Sequence, residues 1–193
     1  MKKYLILILI LLIPFNCHAL EKNKVELDSC IDGDTANFIM NKKVVKVRFI
    51  AIDTPEIKHQ GQEEEPYGQK AKNFTCNKLN NAKKIELEFD EKSKKKDKYN
   101  RYLAWVFVDD KLLQNELVRN GLAEVTYLYD SYKYVDILKE SETQAKLNKK
   151  GIYSDDASYE NIQIIIYNFY KKLKADVNSF FKEIIKEIDK KSI

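Results

Sequence analysis

Histidine, cysteine, glycine and proline are all scarce in this chain, with two, three, five and three copies among 193 residues. Each shortage removes a kind of chemistry. A Cys/His zinc centre needs four soft or borderline ligands. His18 and Cys17 lie in a leader-like segment, so only His59, Cys30 and Cys76 remain. A Ser-His-Asp arrangement would have to use His59. No glycine cluster exists to form a Walker or dinucleotide loop. What is plentiful is carboxylate, basic side chain and tyrosine: 30 Asp+Glu, 34 Lys+Arg and 12 Tyr. The chemistry to look for is oxygen ligation of a hard cation and an anionic substrate.

Residues 1–19 read as a secretory signal. Lys2 and Lys3 precede an apolar run from Tyr4 to Phe15, and Cys17-His18-Ala19 is a small-x-small cleavage site. The run is shorter than a membrane span requires. The competing reading keeps the segment as an uncleaved anchor. Cleavage after Ala19 removes two lysines and lowers the formal charge from +4 to +2. The expected location is secreted, periplasmic or cell-surface. There the remaining Cys30 and Cys76 either form a bridge or stay as two thiols.

Branched and aromatic runs predict strands over 25–31, 35–40, 44–52, 84–90 and 101–108, and an extended segment over 123–129. Turns fall at Asp32-Gly33-Asp34, Asn41–Lys43 and Asp109-Asp110. Helical spacing predicts helices over 67–79, 113–120 and 134–150, the last two stopped by Gly121 and Gly151. This order predicts an α+β, mainly β fold: a five-stranded Greek-key barrel of the oligonucleotide-binding (OB-fold) type with three helices. It would occupy residues 20–154.

Residues 155–193 differ in character. Ile162, Ile166, Phe169, Leu173, Val177, Phe180, Ile184 and Ile188 step by threes and fours, as on a long amphipathic helix. Such a helix could pack on the domain, self-associate or touch a membrane surface. Its mixed charges favour the packed arrangements.

Three short clusters carry the chemistry. Asp32 and Asp34 flank Gly33 on a tight bend, as in hard-cation sites, although Asp-Gly is also common hairpin chemistry. Arg48 lies inside an apolar strand and is costly to bury unless a carboxylate or phosphate meets it. Asp53 ends that run, and Glu56 follows Pro55. Lys98, Tyr99 and Arg101 combine charge with ring faces next to a lysine-rich loop, a combination suited to a nucleic-acid strand.

Taken in order, these stretches resemble the staphylococcal nuclease (thermonuclease) family. The likeness runs through IDGDT at 31–35, Arg48 to Glu56, Tyr67-Gly68, NAKKIELEFD at 81–90, 97–101, LVRNGLAEVTYLY at 117–129 and ESETQAK at 140–146. It covers roughly 25–154. The resemblance implies a Ca²⁺-dependent phosphodiesterase acting on DNA and RNA. By position, Asp34, Asp53 and the carbonyl of Thr54 would hold Ca²⁺, with Asp32 just behind them. Glu56 would act on the attacking water, and Arg48 and Arg101 would grip the scissile phosphate. Lys98 and Tyr99 would meet a terminal phosphate, and Tyr127 a base, with Tyr129 beside it. The products would carry 3′-phosphates.

The chain departs from the family pattern at three places. Asn100 stands where glycine is common, Glu63, Glu64 and Glu65 replace a lysine-rich loop, and Cys76 and the tail lack counterparts. A Cys30–Cys76 bridge would pin the strand before the acidic turn to the first helix. An inactive single-stranded nucleic-acid-binding barrel is the alternative, but such degenerate domains lose the acids or arginines that this chain keeps. A surface-anchored scaffold, with the tail as its working part, is a third reading.

Overall fold

The structure is a computed structural model that describes residues 22–57, 64–155, 166–167 and 169–182. The leader at 1–19, His59, Glu63 and the tail's Ile162, Ile184 and Ile188 lie outside the described residues.

Strands β1 (Asn23–Cys30), β2 (Thr35–Met40) and β3 (Lys43–Phe49) form an antiparallel meander. The β2–β3 hairpin turns on Asn41 and Lys42, both with positive φ (52° and 61°). Such a two-residue loop matches the right-handed twist of its strands. Residues 84–90 contribute β5 (Ile85–Glu88), and residues 101–108 contribute β6 (Tyr102–Val108). β5 pairs with β1 and with β6, and β6 closes the ring by running parallel to β3. The spatial order β3-β2-β1-β5-β6 and back to β3 is a closed five-stranded barrel. Closure leaves no open edge among these five strands. A short β7 (Lys111–Leu112) folds back on β6.

The inward residues fill the barrel. Phe38, Val47, Phe49, Leu87 and Val106 are all fully or almost fully buried. Trp105, on the opposite face of β6, is buried outside the barrel against Tyr134 and Asp90. Each such side chain contributes on the order of 1.5–3 kcal/mol by leaving water. Helix α1 (Gly68–Asn80) packs against β1, while α2 (Leu113–Arg119) and α3 (Val135–Leu147) pack on each other. The glycines after α2 and α3 touch. A Cβ on Gly121 would lie 2.1 Å from the Lys150 carbonyl oxygen, and one on Gly151 would lie 2.0 Å from that of Gly121. Both have positive φ, which lets the two segments meet. Gly121 follows the Asn120 cap of α2, as expected. α3 ends earlier than expected, at Leu147, with Lys149 (φ 48°) as its left-handed residue, and Gly151 opens a short 3-10 turn instead of stopping the helix.

The strand expected over 44–52 is interrupted. The chain bends at Ala51 (φ 66°), and Ile52–Asp53 forms a separate strand, β4, paired with β8 (Glu124–Val125). Ile50, Ala51 and Ile52 are all buried, so the bend leaves the apolar run unbroken. Of the extended segment at 123–129, only β8 pairs as strand.

Cys30 and Cys76 form a disulfide with Cα atoms 5.5 Å apart, joining the end of β1 to α1. The bridge closes a loop with a sequence separation of 46. Replacing both cysteines by serine is expected to lower unfolding free energy by roughly 2–4 kcal/mol. Urea denaturation of the two proteins measures this, and coincident midpoints would show the bridge to be energetically idle.

Candidate active site at the barrel rim

The barrel's register gathers the charged residues. Thr35 pairs with Arg48 across β2–β3, and the Phe49 amide donates to the Asp34 carbonyl at 2.8 Å. Arg48 is therefore held beside the acidic turn. Its Nη1 forms an ion pair with Asp34, and its Nη2 reaches Asp53 Oδ1 at 2.6 Å. The bend at Ala51 is what returns Asp53 to within reach of Arg48.

Asp34 is the best-anchored acid. Its Oδ2 accepts the Thr54 amide at 2.9 Å and the Thr54 hydroxyl at 3.0 Å, and its Oδ1 accepts the Thr35 hydroxyl at 3.1 Å. Asp32 caps the turn, its Oδ1 accepting the Asp34 amide at 3.1 Å. Gly33 is required for closeness: a Cβ there would stand 2.6 Å from Thr54 Oγ1. The Gly33 carbonyl accepts the Thr75 hydroxyl at 2.6 Å, so α1 also braces the turn.

These acids raise one another's proton affinity. Burial lifts Asp32, and the neighbouring Asp34 charge lifts it further. Burial lifts Asp53 despite the pull of Arg48. Glu56 is raised by burial and then by Asp32, Asp34, Asp53 and Glu65. Negative charge in excess of its one bridging guanidinium, offered entirely through oxygen, fits a hard divalent cation. Among the described residues, no three His, Cys, Asp or Glu side chains converge on a point. A cation here would thus rest on two carboxylates, Asp34 and Asp53, with the Thr54 carbonyl and water. Hard cations that keep several oxygens from water accept such sets.

Glu56 is held by its backbone. Its amide donates to Glu65 Oε2 at 3.0 Å, and its carbonyl accepts the Glu65 amide at 2.9 Å. A Cβ on Gly68 would come within 2.4 Å of that carbonyl oxygen. Position 68 thus lets α1 start directly against Glu56.

The third cluster stands just before β6. Arg48 pairs with Leu103 across β3–β6, and Arg101 stands two residues earlier, directly before β6. Asp97 fixes Arg101, its Oδ2 accepting Nε at 2.7 Å and its Oδ1 accepting the Arg101 and Tyr99 amides at 2.9 Å. Burial opposes ionisation of Asp97, but the Arg101 bonds and charge win and hold it below the usual carboxylate range. Asn100 takes the left-handed conformation (φ 64°). Lys98 Nζ lies 4.9 Å and the Arg101 guanidinium 5.4 Å from the exposed Tyr99 ring.

Tyr127 joins the first group. Its hydroxyl donates to Asp53 Oδ2 at 3.3 Å, and its ring lies 5.8 Å from the Arg48 guanidinium. The charge of Asp53 raises the Tyr127 pKa, with burial adding to it. Tyr129 is exposed to 84 % and points to solvent. Reading the sequence alone misses Asp97, the Thr35, Thr54 and Thr75 hydroxyls, and Glu65. Asp97 carries a local signal, an acid four residues before an arginine with turn residues between. Thr35 serves its neighbour Asp34, while Thr54 and Thr75 act across 20 and 42 positions and Glu65 across nine, separations that carry no local signal.

A closed five-stranded barrel of this strand order is an OB-fold. The chain belongs to the staphylococcal nuclease homologue family, whose sequence model matches residues 46–155. It is 44 % identical over 131 residues to the SPbeta prophage-derived endonuclease YokF of Bacillus subtilis, covering 67 % of this chain and 44 % of that protein. It is 42 % identical over 138 residues to endonuclease YncB of the same organism, covering 71 % and 64 %. It is 35 % identical over 125 residues to the thermonuclease of Staphylococcus hyicus, covering 65 % and 72 %. The chain spans less than two thirds of the length of either Bacillus relative.

Proposed function

We propose that the protein is an exported, Ca²⁺-dependent nuclease that hydrolyses phosphodiester bonds of DNA and RNA. The observation that carries this reading is Arg48. Its Nη1 pairs with Asp34 and its Nη2 with Asp53, so one fixed guanidinium stands between two acids at the barrel rim. A guanidinium in that setting suits a phosphate oxygen. The leader-like pattern at 1–19 supports export.

In this reading Arg48 and Arg101 donate to the non-bridging oxygens of one phosphate. Fixed donors aimed at developing charge are commonly the largest catalytic contribution. Glu56 takes the proton of the attacking water as the new P–O bond forms in line with the departing 5′ oxygen. That bond breaks, the 5′ oxygen is protonated from solvent, and the phosphate stays on the 3′ side. Lys98 and Tyr99 meet the flanking phosphate, and Tyr127 stacks on a base. Ca²⁺, held by Asp34, Asp53 and the Thr54 carbonyl, would supply charge neutralisation at the phosphate and orientation of water.

Digestion of single-stranded and duplex DNA, with Ca²⁺ or with EDTA, tests the reading. Chelation is expected to slow cleavage at least roughly tenfold. Equal rates in both would remove calcium from the mechanism, and no cleavage in either would favour a binding module.

A further inference from the structure

The two arginines of the site are held from opposite ends. Both Nη atoms of Arg48 face acids, Asp34 and Asp53. Arg101 is held at the stem of its guanidinium, where Nε donates to Asp97 Oδ2 at 2.7 Å. Among the described residues its Nη1 and Nη2 have no acceptor. An arginine side chain samples many rotamers unless a partner fixes it. With Nε tied, the guanidinium plane is set, and both Nη atoms keep donors for a bidentate acceptor such as a phosphate.

Asp97 is fixed in turn. Its Oδ1 accepts the Tyr99 and Arg101 amides at 2.9 Å, its amide donates to the Arg101 carbonyl at 3.0 Å, and its carbonyl accepts the Asn100 amide at 3.1 Å. Asn100 allows this tight bend by taking a φ of 64°. One carboxylate thus ties the backbone and the side chain of Arg101 together just ahead of β6. The Asp97 side chain is 16 % exposed and that of Arg101 27 %, so water competes weakly for the pair. The two oxygens have separable tasks. An amide oxygen could accept the same two backbone N–H groups, so the bend does not require a carboxylate. The bond to Nε does require it, because an amide nitrogen in that place is itself a donor. We propose that Asp97 is a positioning residue, which sets the plane of the Arg101 guanidinium and presents its two Nη atoms to one phosphate. This rests on the phosphate-gripping role given to Arg101 above.

Asp97→Asn in the full chain separates the two tasks, since it keeps the bend and removes the bond to Nε. Turnover on a short oligonucleotide is expected to fall about tenfold, with a thermal melt close to that of the wild type. The same substitution in an Arg101→Ala protein should change turnover by less than about twofold, because no guanidinium is left to orient. An equal loss in both backgrounds would make Asp97 a merely structural residue and overturn the proposal. Proton NMR reads the bond itself. In the wild type the Arg101 Nε–H should exchange with water roughly tenfold more slowly than in free arginine, and Asp97→Asn should abolish that protection. A wild-type Nε–H that exchanges at the free rate would overturn the proposal whether or not the variants fold. Full activity of Arg101→Ala alone would remove the phosphate-gripping role and the proposal with it. A slow Arg101→Ala beside a fully active Asp97→Asn would overturn the positioning role and leave that of Arg101 standing.

Discussion

Arg48→Lys is expected to lower turnover on DNA about a hundredfold while the chain still folds. The guanidinium reaches two acids at once, Asp34 through Nη1 and Asp53 through Nη2. An ammonium is a single point charge and can serve one of them. Asp34 would keep its bonds from Thr54 and Thr35, and the half-exposed Asp53 could hydrate. The stability cost should therefore be only about 1–3 kcal/mol. The rate cost is larger because lysine cannot present two parallel donors to a phosphate. Losing one fixed donor at a developing oxyanion typically costs 10²–10³ in rate, or about 2.7–4 kcal/mol. Steady-state kinetics on a short oligonucleotide, with thermal melts alongside, separate the two effects. Wild-type turnover in a folded Arg48→Lys protein would take Arg48 out of the chemistry.

Glu56→Gln should cost roughly 10²–10³ in turnover with almost no change in stability. Glutamine preserves the shape of the side chain, and the contacts that fix this residue are made by its backbone with Glu65. Only the ability to accept a proton is lost. The sign of the pH dependence follows from the raised proton affinity of Glu56, caused by burial and by the surrounding acids. The working base is the deprotonated form, so the wild-type rate should rise as pH climbs through the Glu56 midpoint. Without metal that midpoint lies above that of an ordinary glutamate, and Ca²⁺ on Asp34 and Asp53 would draw it back down. The Glu56→Gln protein should lack that limb. A retained acid limb, or a rate within threefold of wild type, would assign the base elsewhere.

The barrel strands were legible because their alternation and their turn residues agree. Asn41 and Lys42 turn where a polar pair separates two branched runs, and Gly121 follows its helix where expected, whereas the helix expected to run to Gly151 ends at Leu147 because Lys149 takes the left-handed turn. The bend at Ala51 was not legible. Burial on both sides makes Phe49 to Ile52 one apolar run, and no local residue preference marks a left-handed alanine. The parallel β3–β6 pairing was likewise invisible locally, because it joins residues more than fifty positions apart. The same division holds at the rim. Asp34, Arg48 and Asp53 stand out as charges set in or beside apolar runs. Asp97 and Glu65 look like ordinary loop acids until the fold brings Arg101 and the Glu56 amide to them.

The staple between Cys30 and Cys76 sits two residues ahead of Asp32 and one residue after Thr75, which holds the Gly33 carbonyl. Oxidation and the hydroxyl bond therefore clamp the same bend from adjacent positions. With the bridge reduced, the Thr75 hydroxyl supplies the remaining hydrogen bond between α1 and the Gly33 carbonyl, while Asp32 and Thr54 still brace the turn from the barrel side. The reduced protein is expected to cleave DNA more slowly than the oxidised one, a difference that dithiothreitol titration would expose. On the export and nuclease activity proposed above, a cell making this chain would be partly shielded from it until it crosses into an oxidising space, and the crosslink would serve as a safety catch for the producer's own nucleic acids.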